Sequence, residues 1–210
     1  VVTIAGEILD GNAGPGQAGG ERIARLLDKA LDKDFAALVV RVDSPGGSVM
    51  ASEQIRSAIE RHKAKGIPIV VSMANLAASG GYWVSMPGSR IFAEPGTITG
   101  SIGVFAVLPT FERALGEWGV TTDGVQTTPL SGQPDLAGGL SPQIEAMAQS
   151  SVENIYAKFT GLVGNARGKS APEVDAMGQG RVWDGGTARQ KGLVDQFGGL
   201  DEALAFAAQA

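Results

Sequence analysis

Leu76-Ala77-Ala78-Ser79-Gly80-Gly81-Tyr82-Trp83, preceded by the apolar run Ile67-Pro68-Ile69-Val70-Val71, is the stretch that decides the fold. A serine set between alanines and glycines, directly after a buried-strand pattern, reads as a strand that turns sharply and launches a helix. Small residues on both sides let another backbone, such as an extended peptide, approach the hydroxyl. A helix starting at Ser79 aims its free N–H groups and positive dipole end at whatever the serine attacks. A lone Ser-Gly-Gly would read as an N-cap with packing glycines. A second glycine turn changes that balance.

The second turn is Arg41-Val42-Asp43-Ser44-Pro45-Gly46-Gly47-Ser48, after the short apolar run Phe35-Ala36-Ala37-Leu38-Val39-Val40. Pro45 fixes φ and lacks an N–H, so the strand ends there. Gly46 and Gly47 can take positive φ and present their N–H groups with no Cβ in the way. Ser48 suits the N-cap of a helix running through Glu53, Ile55, Ile59 and Arg61. Two such turns on parallel neighbours lie together at the carboxyl edge of a sheet, where α/β proteins place their sites. The N–H groups of Gly47 and Gly80 can then converge on one oxygen, the form of an oxyanion hole.

The punctuation predicts strands over 1–8, 36–42, 69–73, 90–93, 103–107 and 124–127. It predicts helices over 20–31, 48–65, 79–85, 109–118, 142–163, 171–177, 184–191 and 199–208. Strands separated by helices imply an α/β fold with a mostly parallel sheet. Asp10–Gly20 and Thr121–Gly139 read as surface loops. The 210 residues suit a single domain whose carboxyl-terminal part, from about 141, is helical. The 31 glycines gather at turns, as a fold with many tight corners requires. With no cysteine, disulfides, thiolate zinc sites and thiol nucleophiles are excluded. A net charge of −5 without a basic, aromatic-interleaved stripe argues against nucleic acid. No metal or cofactor is expected.

Ser-Pro-Gly-Gly-Ser, Ala-Ala-Ser-Gly-Gly-Tyr-Trp and Thr99-Gly100-Ser101-Ile102-Gly103-Val104, with the late segments Gln179–Gly185 and Gly192–Asp195, resemble the signal peptide peptidase A family. That resemblance covers nearly the whole chain and is strongest to the carboxyl-terminal half of the long, two-repeat form. It implies the fold of repeated ββα units shared with the Clp protease subunit and the crotonases. It implies a bacterial serine endopeptidase acting on cleaved signal peptides and other unfolded apolar segments, assembled as a homo-oligomer. It also implies an inner-membrane anchor with the catalytic part facing the periplasm. Ser79 is then the nucleophile, and Ser101 the group that orients a lysine base. Gly46, Tyr82 and Val104 would contact substrate, although Tyr82, Trp83 and Val104 suit a core equally well.

The base is the missing part. His62 lies in Glu60-Arg61-His62-Lys63-Ala64-Lys65 and reads as a solvated helix-end residue, which rejects a Ser-His-Asp triad. Single-repeat relatives place their lysine some 50 residues after the serine, as the resemblance implies. Here that stretch is Thr127-Thr128-Pro129-Leu130-Ser131-Gly132-Gln133-Pro134-Asp135, without lysine. Lys29, Lys33, Lys63, Lys65, Lys158, Lys169 and Lys191 all read as surface charges. The long form of the family supplies the lysine from its first repeat, so an upstream repeat or another subunit is the expected partner. The chain opens inside a strand, which reads as a piece of a longer protein. A non-catalytic assembly half and a crotonase-type acyl-CoA enzyme are the other readings, the latter lacking a visible acid and adenine pocket.

Residues 1–210 assayed alone on an apolar peptide ester should turn over poorly, because a serine without a base attacks slowly. Adding the upstream half should restore the rate. Full activity in a proven monomer would make one of this chain's own lysines the base.

Overall fold

The computed structural model describes residues 1–209. Residues 1–103 and 159–209 form one compact unit, and residues 104–158 a second.

The first unit is built on a sheet of β1 (Val2–Ala5), β4 (Leu38–Ser44), β5 (Ile69–Ala78), β6 (Arg90–Ala93) and β9 (Gln196–Phe197), parallel and in that order. The apolar runs of β4 and β5 are buried on both faces, as central parallel strands must be. β7 (Ile98–Gly100) also pairs with β5, in parallel, and β8 (Val182–Asp184) closes that edge antiparallel to β7. A small parallel pair, β2 (Ile8–Leu9) with β3 (Ala18–Gly19), stands apart.

β5 changes partners midway. Val70–Ser72 pair with β6, whereas Leu76–Ala78 pair with β7. Opposite β4 the register jumps, from Val42↔Met73 to Ser44↔Ala77. Side chains satisfy the backbone freed at this bulge: Leu76 N–H donates to Asp43 Oδ1, and Thr97 Oγ1 donates to the Ala74 carbonyl. The bulge carries the end of β5 towards β7, and with it the residue that follows Ala78.

Helices α1 (Gly20–Ala30) and α2 (Val49–Ala64) pack as a pair, with Gly20 close against Ala51. The buried residues of α2 (Ala51, Ser52, Ile55, Ala58, Ile59 and His62) follow one helical stripe. Elsewhere α8 (Leu200–Ala207) lays Ala203 and Ala207 on Val39, Val70 and Phe92. Short helices α3 (Gly80–Trp83), α6 (Ala171–Met177) and α7 (Gly185–Gln190) fill the corners.

In the second unit, α4 (Glu112–Glu117) precedes α5 (Pro142–Arg167), which runs on into the first unit. The strands expected over 103–107 and 124–127 are not formed. Phe105, Val107 and Val125 are instead exposed, in segments with no strand to pair with among the described residues. The loop expected over 10–20 ends in β3.

One ion pair ties the end of α5 to the sheet. Arg167 clasps Asp195 with two bonds, of 2.6 and 3.1 Å, and Asp195 accepts the Ile91 N–H at 2.8 Å. Burial works against the charge, but the guanidinium and the Ile91 N–H outweigh it and hold the carboxyl below its usual range. A depressed pKa stabilises the fold above the ordinary aspartate value, about 4, and that contribution fades as pH falls through and below it. Asp195→Asn should lose roughly 2 kcal/mol at neutral pH. Its unfolding free energy should also decline less steeply than wild type below about pH 4. Parallel acid limbs in denaturant titrations would deny the pair this role.

Candidate active site

Ser79 directly follows β5 and holds φ +51° and ψ −119°. A residue with a Cβ meets steric cost there, of about 1–3 kcal/mol, and persists only where its surroundings over-determine it. Its N–H donates to the Gly100 carbonyl at 2.9 Å, and its carbonyl accepts the Trp83 N–H to open α3. Ser79 stands half-buried at the N-terminus of that turn.

The second glycine turn lies against it. A Cβ on Gly46 would sit 2.4 Å from the Gly80 nitrogen and 2.8 Å from Ser79 Cβ, so only glycine permits the approach. Gly46 N–H is held by Ser44 Oγ, which itself donates to the Gly6 carbonyl at 2.6 Å. On the other side Ile8 N–H donates to the Gly46 carbonyl, and Ser48 N–H to the Ile8 carbonyl. That pairing leaves Gly47 N–H facing away from Ile8. Among the described residues neither Gly47 nor Gly80 spends its N–H on a hydrogen bond, and the Gly47 nitrogen lies 3.2 Å from where a Cβ on Gly80 would stand.

Ser101 occupies the matching place on the neighbouring strand. Ala78 pairs with Gly100, so Ser79 and Ser101 each come one residue after the last paired positions, and both hold φ +51°. Ser101 N–H donates to the Arg181 carbonyl at 2.8 Å. The structure thus brings together Gly46, Gly47, Ser79, Gly80 and Ser101.

It does not bring Tyr82 to the surface. Tyr82 is fully buried and its hydroxyl donates to the Leu193 carbonyl at 2.9 Å; burial pushes the phenol upward, so it stays a donor. The expectation that it contacts substrate is corrected: a side chain so enclosed is core. Trp83 is buried as well, its indole N–H on Glu53 Oε2 at 2.8 Å. Val104 opens the second unit, half-buried, in a stretch without regular structure.

His62 is likewise not solvated. It is fully buried, with Nε2 2.9 Å from the Leu27 carbonyl and its ring against Phe35. That carbonyl can only accept, so Nε2 carries the proton. Fourteen residues of helix separate His62 from Ser48, about 21 Å, which keeps the imidazole away from Ser79. The lysines are placed elsewhere: Lys65 donates to the Leu31 carbonyl, Lys191 stands 4.2 Å over the Trp183 ring, and Lys169 rests against Gly192. Lys29, Lys33 and Lys63 are exposed at or beyond the ends of α1 and α2, and Lys158 is exposed on α5.

Several supports were not visible in sequence. Ser44 and Ser52 are buried hydroxyls that fasten the glycine turn, and Arg181, directly before β8, brings its carbonyl to Ser101. A small polar residue directly before Pro-Gly-Gly was the available signal for Ser44.

The parallel sheet and this pair of glycine-lined serine turns define an α/β protein with two serines held at positive φ along one sheet edge. Residues 61–210 match peptidase family S49, and the chain belongs to that family. It is 46% identical over 210 residues to Protease 4 of Salmonella typhi, covering all of this chain and 34% of the relative. It is 43% identical over 205 residues to Protease 4 of Haemophilus influenzae, covering 97% of this chain and 33% of the relative. The chain therefore spans about a third of the length of these relatives. Its fold is similar to that of a ClpP1 N165D mutant from Listeria monocytogenes, with TM-score 0.64 over 97% of this chain and 93% of that one, at 16% identity.

Gly80→Ala places a Cβ 2.4 Å from Ser52 Oγ, the end of a small side chain. The variant should lose about 1–3 kcal/mol of stability, and Ser52→Ala in the same chain should return most of it. Thermal unfolding of the two variants checks this; a double variant no better than Gly80→Ala would place the clash on backbone.

Proposed function

We propose that this chain is the nucleophile-bearing domain of a serine endopeptidase that uses a Ser/Lys dyad, with the lysine supplied by another repeat or another copy. The observation that carries the proposal is the elbow: a half-buried Ser79 at φ +51°, packed against Gly46, with the N–H groups of the adjoining Gly47 and Gly80 unspent. Ser79 Oγ attacks the scissile carbonyl and passes its proton to a neutral lysine amine. The new oxyanion takes the N–H bonds of Gly47 and Gly80. Collapse breaks the peptide C–N bond, the lysinium returns the proton to the leaving amine, and water then hydrolyses the ester by the same route. Ser101 orients the lysine.

Substrate enters as an extended strand beside the exposed Gly47, with Gly46 leaving room for its backbone. Cleaved signal peptides and other unfolded apolar segments fit an enzyme of this kind, held at the bacterial inner membrane with the site facing the periplasm. None of the described helices is long and apolar enough to cross a membrane. Assembly has its own support. Residues 104–158 bury no side chain and expose Phe105, Val107, Trp118 and Val125, an apolar surface that suits contact with a further repeat or subunit.

Ser79→Ala in the full-length protein should abolish both peptide hydrolysis and labelling by a serine-directed phosphonate, with folding nearly unchanged. The loss in turnover should be several orders of magnitude. Retention of more than about a tenth of the activity would mean that another serine is the nucleophile. A wild-type protein that resists the phosphonate altogether would favour a non-catalytic half or acyl-CoA chemistry.

A further inference from the structure

α3 is a single turn, four residues long, and a helix that short cannot hold its own direction. Yet it carries the Gly80 N–H, and its first turn begins at Ser79. Something outside the helix must fix it. The Tyr82 hydroxyl reaches the Leu193 carbonyl at 2.9 Å, in the turn that follows α7. That turn is itself gripped: Arg167 Nε donates to the neighbouring Gly192 carbonyl at 2.8 Å, while the rest of the guanidinium clasps Asp195. Asp195 exchanges both backbone and side-chain bonds with Ile91 on β6. β6 pairs with β5, and β5 leads back to Ser79. The contacts form a closed ring through five elements. The serine stands at one point of it, and the Tyr82–Leu193 bond links α3 to the 192–195 turn.

We propose that Tyr82 is a positioning residue for the oxyanion donor: its hydroxyl, received by a Leu193 carbonyl that Arg167 and Asp195 hold in place, sets the direction of the Gly80 N–H. This rests on the serine-peptidase reading above and adds to it a group that touches neither substrate nor the reacting atoms. A donor misdirected by a fraction of an ångström loses most where charge develops, so the effect falls on turnover and spares ground-state binding. Tyr82 is fully enclosed, and Phe fills the same space without the hydroxyl.

The test is Tyr82→Phe and Asp195→Asn, singly and together, in the full-length protein. Tyr82→Phe should lower kcat about tenfold with KM changed less than twofold, and should slow phosphonate labelling of Ser79 similarly. The double variant should be no slower than the worse single one, because both act through the Leu193 carbonyl. Amide hydrogen exchange provides a readout independent of activity: the hydrogen-bonded amides of Trp83 and Val84 should exchange at least several-fold faster in Tyr82→Phe, with those of β4 and β5 unchanged. Faster exchange in a variant of a protein whose wild type takes no phosphonate would uphold the ring and sink the peptidase reading. A folded Tyr82→Phe with unchanged exchange at Trp83 and Val84, or with kcat within twofold of an active wild type, overturns the proposal. So does a KM rise that accounts for the whole loss, or a double variant whose losses multiply.

Discussion

Two backbones meet at the site with no side chain between them. Gly46 lies so close to Ser79 and Gly80 that even a methyl group would overlap the Gly80 nitrogen. Every other feature of the elbow follows from that approach. It lets the end of β4 and the end of β5 present free N–H groups to one small volume, and it blocks Ser79 from relaxing to an ordinary φ without moving a neighbour. An extended backbone can approach a wall of glycine where a wall of side chains would bar it.

Such strain lasts only where many contacts resist its release. Here Ser79 is pinned by Gly100 through its N–H and by Trp83 through its carbonyl, while Ser44 fixes Gly46 and Ile8 braces the same turn from outside. The bulge in β5 is what makes the pinning possible. Without the switch of partner from β6 to β7, no carbonyl from a parallel neighbour would stand at the serine's N–H. The matching strain at Ser101 has the same source, since Gly100 and Ser101 both take positive φ at the end of β7.

The parts legible in sequence are those in which a local rule and the tertiary structure agree. The apolar runs before Ser79 and Ser44, the Pro-Gly-Gly stop and the Ser48 cap each announce themselves, and Ser48 Oγ does accept the Ala51 N–H. The positions that depart from their pattern share a physical cause: sequence neighbours are a poor guide to solvent. His62 sits among charged residues, yet the α1–α2 contact turns it inward onto Leu27. Tyr82 lies three residues from the serine, yet one helical turn points it away into the core. Phe105 and Val107 alternate as a strand should, but alternation supplies no partner to pair with. Short strands such as β7, β8 and β9, of two or three residues, have too little pattern to be read before their neighbours are known.

Ser79, Gly47 and Gly80 are thus held together at one sheet edge, while Lys65, Lys169 and Lys191 are all engaged elsewhere. A nucleophile and a base differ in what they ask of a fold. A nucleophile and its oxyanion donors must be fixed within fractions of an ångström, which a single sheet edge with glycine turns can do alone. A lysine base needs the opposite of a rigid strand edge: a flexible stem, and an environment dry enough to favour its neutral form. An open sheet edge offers no such dryness. A second surface closing over Ser79 would supply the lysine and exclude water in one step, so a divided site is the physically economical arrangement.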